Sequence, residues 1–269
     1  MSATVSLSPS YSIFPLGDSA ITIDFGNCID EQLNRRALAV HDWLQAHRFP
    51  GILDIIVAYS SVSLYYDPTT VRCSGINCPD GIYYGLKRLL VQAWEETTGE
   101  DSVQAGGTGN ARREDGEGRE ESGHFFRVPV CYEGGYAPDL AFVAREKGLS
   151  REEVIGIHSS AIYRIYMVGF LPGFPYMGRM DQRLEIARKQ QPVTVVAGGV
   201  GIAGVQTGIY SLNSPGGWQI IGRTPMKVFN LLEDPPIRLQ AGDRVQFYPV
   251  SEKEFNDFYP DVPPSKPFK

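Results

Sequence analysis

Apolar and polar positions alternate in distinct ways along the first hundred residues. Leu33, Ala37, Val40 and Leu44 recur at helical spacing behind Asp30, a residue suited to capping a helix start. Ile82, Leu86, Leu89, Leu90 and Ala93 share one face of a second helix after Pro79-Asp80. Tyr11–Phe25 reads as two short strands joined at Leu16-Gly17-Asp18, and Ile52–Ala58 and Val62–Tyr66 read as two more. The order ββαββα predicts an α+β sandwich, with helices on one side of a mainly antiparallel sheet. His41 and His47 lie on or beside the first helix and read as surface or structural residues.

Beyond residue 124 the pattern changes. Phe125–Val130 reads as a strand. Pro138 suits the first turn of a helix from Asp139 to about Lys147, which Gly148 is placed to end. Ser150 and Glu153 form a capping box that opens another helix running toward His158. Ile162–Val168, Pro192–Ala197, Trp218–Ile221 and Arg244–Val250 are then short β-like runs between Gly/Pro-rich turns, which predicts a compact β-barrel.

Composition refines this division. The chain has 29 Gly and 19 Pro among 269 residues, and a formal charge of −6. Residues 99–123 hold seven acids against three bases, so they carry −4 of that −6. This stretch has one large aliphatic residue, Val103, and reads as a linker that cannot bury a core. The expected organisation is therefore an α+β domain over 1–98, an acidic Gly-rich linker over 99–123, and a β-barrel domain over 124–269. The acidic balance argues against nucleic-acid binding, and no apolar run is long enough to span a membrane. The N-terminal residues lack a signal-peptide pattern. Cys28, Cys73, Cys78 and Cys131 are scattered without a zinc spacing, so reduced thiols in a cytoplasm are expected, with no bound metal.

Chemistry concentrates in the C-terminal half. Gly199–Gly204 matches G-x-G-x-x-G, but Gly208 and Ser214-Pro215-Gly216-Gly217 break any following helix, and the first downstream acid is Glu233. Neither a phosphate loop nor a nucleophile elbow is present. Turn residues instead crowd beside aromatics in Gly169–Gly178, Gly201–Tyr210 and Ser214–Pro225. In one reading Phe174, Tyr176 and Trp218 wall a small pocket with His158, Gln206, Thr207, Arg223 and Lys227 as polar contacts. In the other, the glycines and prolines make barrel corners and the aromatics are core.

The same runs carry a resemblance. HSS (158–160), GFLPGFPYMG (169–178), GIAGVQTGIY (201–210), SPGGWQIIGRTP (214–225) and AGDRVQFYP (241–249) resemble the family of the 5-oxoprolinase B-type subunit. That family has long been labelled allophanate hydrolase subunit 1 and includes the KipI-type histidine kinase inhibitors. The resemblance is close over about 125–250. Relatives usually read P-R-x-x-V-P-A-G-S-V where this chain has Pro192–Val200. The arginine is missing, one residue is deleted, and Gly199 stands for serine. An arginine that held a carboxylate cannot be replaced by valine, although Arg188 lies close by in sequence.

The resemblance implies a cyclophilin-like β-barrel behind a smaller α+β domain. It also implies one component of an ATP-dependent amidohydrolase that opens 5-oxo-L-proline to glutamate. Such a chain is expected to be inactive alone and to work with a carboxyltransferase-like C-type partner and an A-type partner. ATP, with Mg2+, is the expected cofactor. Arg223 and Lys227 are the expected phosphate cations, Gln206 and loop N–H groups the oxyanion donors. His158 is the candidate acid/base, or else a histidine favoured by a helix C-terminus. Thr207, Gly216 and Gly217 join Phe174, Tyr176, Trp218 and Lys227 in the expected pocket. Two alternatives to that activity stand on the same fold: inhibition of a sensor histidine kinase, and carboxyl transfer in an allophanate hydrolase-type unit.

Overall fold

The computed structural model describes residues 11–74, 80–103 and 123–258. The chain divides into two compact units, Met1–Arg119 and Glu120–Lys269. In the first, β1 (Ser12–Pro15), β2 (Ala20–Asp24), α1 (Glu31–Ala46), β3 (Ile52–Val57) and β4 (Ser61–Tyr66) follow one another, then α2 (Pro68–Cys73) and α3 (Ile82–Val103). The strands form an antiparallel sheet in the order β1-β2-β4-β3.

Local chemistry accounts for these elements. The Asp30 carboxylate accepts the N–H groups of Gln32 and Leu33, which would otherwise lack partners at the start of α1. Ala37, Val40 and Leu44 are buried against the sheet together with Leu86, Leu90 and Ala93 of α3. The periodicity overlooks α2, whose single buried residue is Val71 and whose start is set by an Asp67 cap and Pro68. Helix α3 continues through Val103, five residues into the stretch expected to be a linker. The rest of that expectation falls on 104–122, outside the described residues. Cys28, Cys73 and Cys131 are free thiols, and Cys78 is outside the described residues. No helix among the described residues is long and apolar enough to cross a membrane.

The second unit holds β5 (Phe125–Cys131), α4 (Leu140–Lys147), α5 (Arg151–Ser160), β6 (Ile162–Val168), β7 (Pro175–Gly178), β8 (Val193–Val195), β9 (Gly199–Ala203), β10 (Gln206–Ile209), β11 (Ser214–Gly216), β12 (Gln219–Arg223), β13 (Arg244–Val250) and α6 (Glu252–Phe258). Seven of these strands close into a barrel in the order β10-β7-β6-β13-β5-β12-β9, and β8 pairs with β11 apart from it. The expected barrel is present. Val128, Val130, Ile165, Val200, Ile202, Ile209, Val245 and Phe247 make its buried core, packed with Leu140, Val143 and Val154 of the helices.

The Ser150–Glu153 capping box and the left-handed Gly148 helix end form as expected. Helix α4 begins at Leu140 rather than Asp139, because the Asp139 carboxylate turns away from the helix end to accept the Ile220 N–H at 2.6 Å.

The larger correction concerns the glycine-rich motifs. Stretches read as turns form strands β7, β9, β10 and β11, and Gly199–Gly204 is strand β9 running into a tight turn at Gly204. Glycine is needed in these strands for proximity. A Cβ on Gly208 would stand 2.9 Å from both the Phe174 ring and the Pro175 carbonyl, and one on Gly201 would meet Trp218 and Ile220 at 3.1 and 3.2 Å. Gly208→Ala is expected to cost about 2 kcal/mol, since the obstruction includes backbone. Gly217→Ala, whose Cβ would meet nothing closer than 3.6 Å, is expected to stay within about 0.5 kcal/mol. Urea denaturation of the two variants checks the pair.

Candidate functional site

The residues expected to share one pocket occupy three settings. The first is the barrel interior. His158, in the last turn of α5, is fully buried, its ring stacked on Phe247 at 4.7 Å. Tyr132 Oη lies 2.8 Å from Nδ1, Nε2 lies 2.9 Å from Thr207 Oγ1, and Thr207 donates to the Gly201 carbonyl at 3.1 Å. Since the Thr207 proton is committed to Gly201, the network assigns the histidine proton to Nε2 and the Tyr132 proton to Nδ1. Tyr163 donates to the His158 carbonyl at 2.9 Å. Burial lowers the His158 pKa from 6.5 to about 3 and pushes Tyr132 well up. A neutral ring with both nitrogens engaged and no solvent exposure is not placed to exchange protons with a substrate. His158 and Thr207 therefore sit as a structural brace, contrary to the acid/base expectation.

The second setting is the outer face of the barrel. Phe174, Tyr210 and Trp218 are buried there and Tyr176 is half-buried. Phe174 touches Tyr176, Tyr210 and Trp218 with ring centroids 4.7, 5.1 and 5.4 Å apart, so the rings fill the space they were expected to enclose. Gly216 lies directly against the Tyr210 hydroxyl edge, and Gly217 accepts the Lys189 N–H at 2.7 Å. Gln206, half-buried, shares the face of Gly208 by strand alternation.

Three residues complete this face that the pocket expectation omitted. The Arg188 guanidinium is exposed and lies 5.9 Å from the Trp218 ring, where it opposes the upward effect of burial on Tyr176. Lys189 is ion-paired to Asp139, whose carboxylate also holds the β12 backbone. In sequence Arg188 and Lys189 belong to no motif, and only the pairing of 187–189 with 217–219 brings them here.

The third setting holds Arg223, 7% exposed at the end of β12 beside Tyr136 and Phe255. Lys227 is exposed on the following loop, where it acts on Glu233. The two cations thus face different neighbours. Among the described residues no group of three His, Cys, Asp or Glu side chains could hold a metal ion. A groove of about 380 Å3 along α3, lined by Asp80, Tyr84, Lys87 and Arg88 among others, contains none of the motif residues.

The His158 environment has a pH signature. Between about pH 6.5 and 3 the unfolded chain binds a proton that the folded chain refuses, so stability is fully present above 6.5 and falls as pH drops. The slope from this residue approaches about 1.4 kcal/mol per pH unit. His158→Gln is expected to remove that part of the acid sensitivity, read as the difference in unfolding free energy between pH 7 and 5.

Known proteins resemble this chain in sequence and fold. The carboxyltransferase domain family, subdomain C and D, matches residues 11–239. The 5-oxoprolinase B-type subunit of Bacillus subtilis is 39% identical over 92% of this chain and 96% of its own length. That of Haemophilus influenzae is 33% identical over 88% and 96%. The crystal structure of TTHA0988 matches with a TM-score of 0.68 at 32% identity over 93% of this chain, which spans only 42% of that longer chain. The Kluyveromyces lactis urea carboxylase, 20% identical, shares the fold with a TM-score of 0.66 over 92% of this chain and 22% of its own. The chain therefore belongs to the carboxyltransferase subdomain C and D family, among the relatives of the 5-oxoprolinase B-type subunit.

Proposed function

We propose that this chain is the B-type subunit of a 5-oxoprolinase complex that opens 5-oxo-L-proline to L-glutamate at the expense of ATP. The observation that carries this reading is the 39% identity extending along 96% of the Bacillus subtilis relative. The complex would include a carboxyltransferase-like C-type partner and an A-type partner.

The substrate is a five-membered lactam bearing a carboxylate. Ring opening breaks the C–N bond, with water oxygen joining the carbonyl carbon and a proton passing to nitrogen. An unstrained amide resists this, and ATP supplies the activation. In this reading the outer face meets the substrate: Arg188 takes the carboxylate, Tyr176 lies along the ring, and Gln206 offers an amide. Trp218 holds the guanidinium by its π face, and Asp139 holds Lys189 beside it. His158 and Thr207 brace the wall underneath. Arg223 is enclosed and Lys227 is exposed beside Glu233, so they do not fit a shared triphosphate cradle. No step through ATP or Mg2+ is assigned to this chain.

One observation favours a second reading, carboxyl transfer: the family that matches residues 11–239 is a carboxyltransferase domain, subdomain C and D. Mixing the purified chain with its A-type and C-type partners separates the two. Glutamate release that requires ATP and this chain is expected, and its absence alongside carboxyl transfer to an amide would favour the alternative. Arg188→Ala is expected to lower kcat/KM for 5-oxo-L-proline about tenfold or more, mainly through KM. A variant with unchanged kinetics would remove Arg188 from the site.

A further inference from the structure

We infer that Arg223 forms a buried binding site for a carboxylate group, with α6 as its movable cover. Arg223 is the one buried Arg or Lys side chain among the described residues. Its Nε donates to the Ala197 carbonyl at 3.0 Å, but Nη1 is sealed from solvent and has no hydrogen-bond partner. The guanidinium faces the Phe255 ring at 5.8 Å, and Tyr136 packs on Phe255 at 4.4 Å. A guanidinium stays charged when buried, so an enclosed one without a counterion is a costly arrangement that native interiors avoid.

The surrounding acids are turned elsewhere. Glu133 accepts the Glu252 N–H at 3.1 Å, and the Glu252 carboxylate acts on Tyr136 and Cys131. The Tyr136 proton goes to Asn256 Oδ1 at 2.9 Å. What remains open is the Nη1 donor, between aromatic walls. That suits a planar monoanion with an apolar body. A phosphate dianion would need several more donors than this enclosure offers.

Entry requires an element to move, and the hydrogen bonds single out which. The turn at 196–198 is pinned by Gly198 N to the Tyr210 carbonyl at 2.7 Å, Thr224 N to the Gly198 carbonyl at 2.9 Å, and Ala197 N to Asn213 Oδ1 at 2.8 Å. Helix α6 has seven residues and is held over Arg223 by Phe255, the Tyr136–Asn256 bond and the Glu252–Glu133 bond. Lifting α6 exposes Nη1 while the barrel stays closed.

The inference rests on this enclosure and not on the 5-oxoprolinase reading. Calorimetric titration and thermal unfolding of the full chain test it, with sodium acetate, 5-oxo-L-proline and N-acetyl-L-aspartate amide as probes. Sodium phosphate and sodium chloride at matched ionic strength are the controls. The expected result is saturable binding of acetate and at least one larger carboxylate, weakened tenfold or more in Arg223→Gln, with a matching loss of the ligand-induced rise in Tm. Preference for 5-oxo-L-proline would assign the site to a free small molecule, and preference for the aspartate amide to an acidic side chain of a partner. Stopped-flow mixing of Asn256→Ala with acetate should show association accelerated several-fold, and this variant decides the matter if Arg223→Gln does not fold. Binding by neither carboxylate, equal stabilisation by phosphate or chloride, unchanged affinity in folded Arg223→Gln, or an unchanged association rate in Asn256→Ala would overturn the inference. Loss of glutamate release from the reconstituted complex with carboxylate binding intact would instead count only against the 5-oxoprolinase reading.

Discussion

Strand β13 lies parallel to β5 on one side and antiparallel to β6 on the other, and the barrel is closed through it. The parallel register joins Phe125 to Arg244, residues at opposite ends of the second unit. Asp243 secures that junction from within the chain: its buried carboxylate accepts the N–H groups of His124 and Gln240, each at 2.8 Å. Its own carbonyl accepts the Ile165 N–H of β6, also at 2.8 Å. One residue therefore aligns both neighbours of the closing strand. Every residue of the barrel wall presupposes this closure, because a single-residue slip would exchange the inner and outer faces.

On the closed barrel the two faces impose different demands. The inner face takes apolar side chains, Phe247 among them, plus a polar chain, Tyr132–His158–Thr207, which works only because each donor finds an acceptor in series. The outer face carries aromatic rings laid against backbone, and the glycines are what let them approach. Gly201, Gly208 and Gly216 are thus counterparts of Trp218, Phe174 and Tyr210. The polar groups of this face include exposed Arg188 against the Trp218 ring, half-buried Tyr176 and Gln206, and Lys189 ion-paired to Asp139.

His158 and Arg223 show how burial reverses what residue type suggests. A histidine at the end of a helix in a motif reads as reactive, yet desolvation keeps it neutral and both nitrogens are spent on structure. Arg223, in the same set of motifs, is also enclosed but retains an Nη1 without a partner. Residue type alone does not distinguish the two cases. Only the inventory of neighbours separates a brace from a binding group.

The ββαββα order of the first unit apart from α2, the Asp30 cap, the Ser150–Glu153 capping box and the barrel class were legible from sequence, because each depends on residues a few positions apart. Family membership was legible too, since the motifs follow one another in the family's order. What only the tertiary structure decided was which face each motif residue occupies. Glycine-rich strands look like turns in a sequence because the rings that require their glycines come from other segments, such as Phe174 against Gly208 and Tyr210 against Gly216. Arg188 and Asp139 joined the outer face for the same reason: strand pairing and a long-range ion pair bring them there, and no local pattern records contacts of that range.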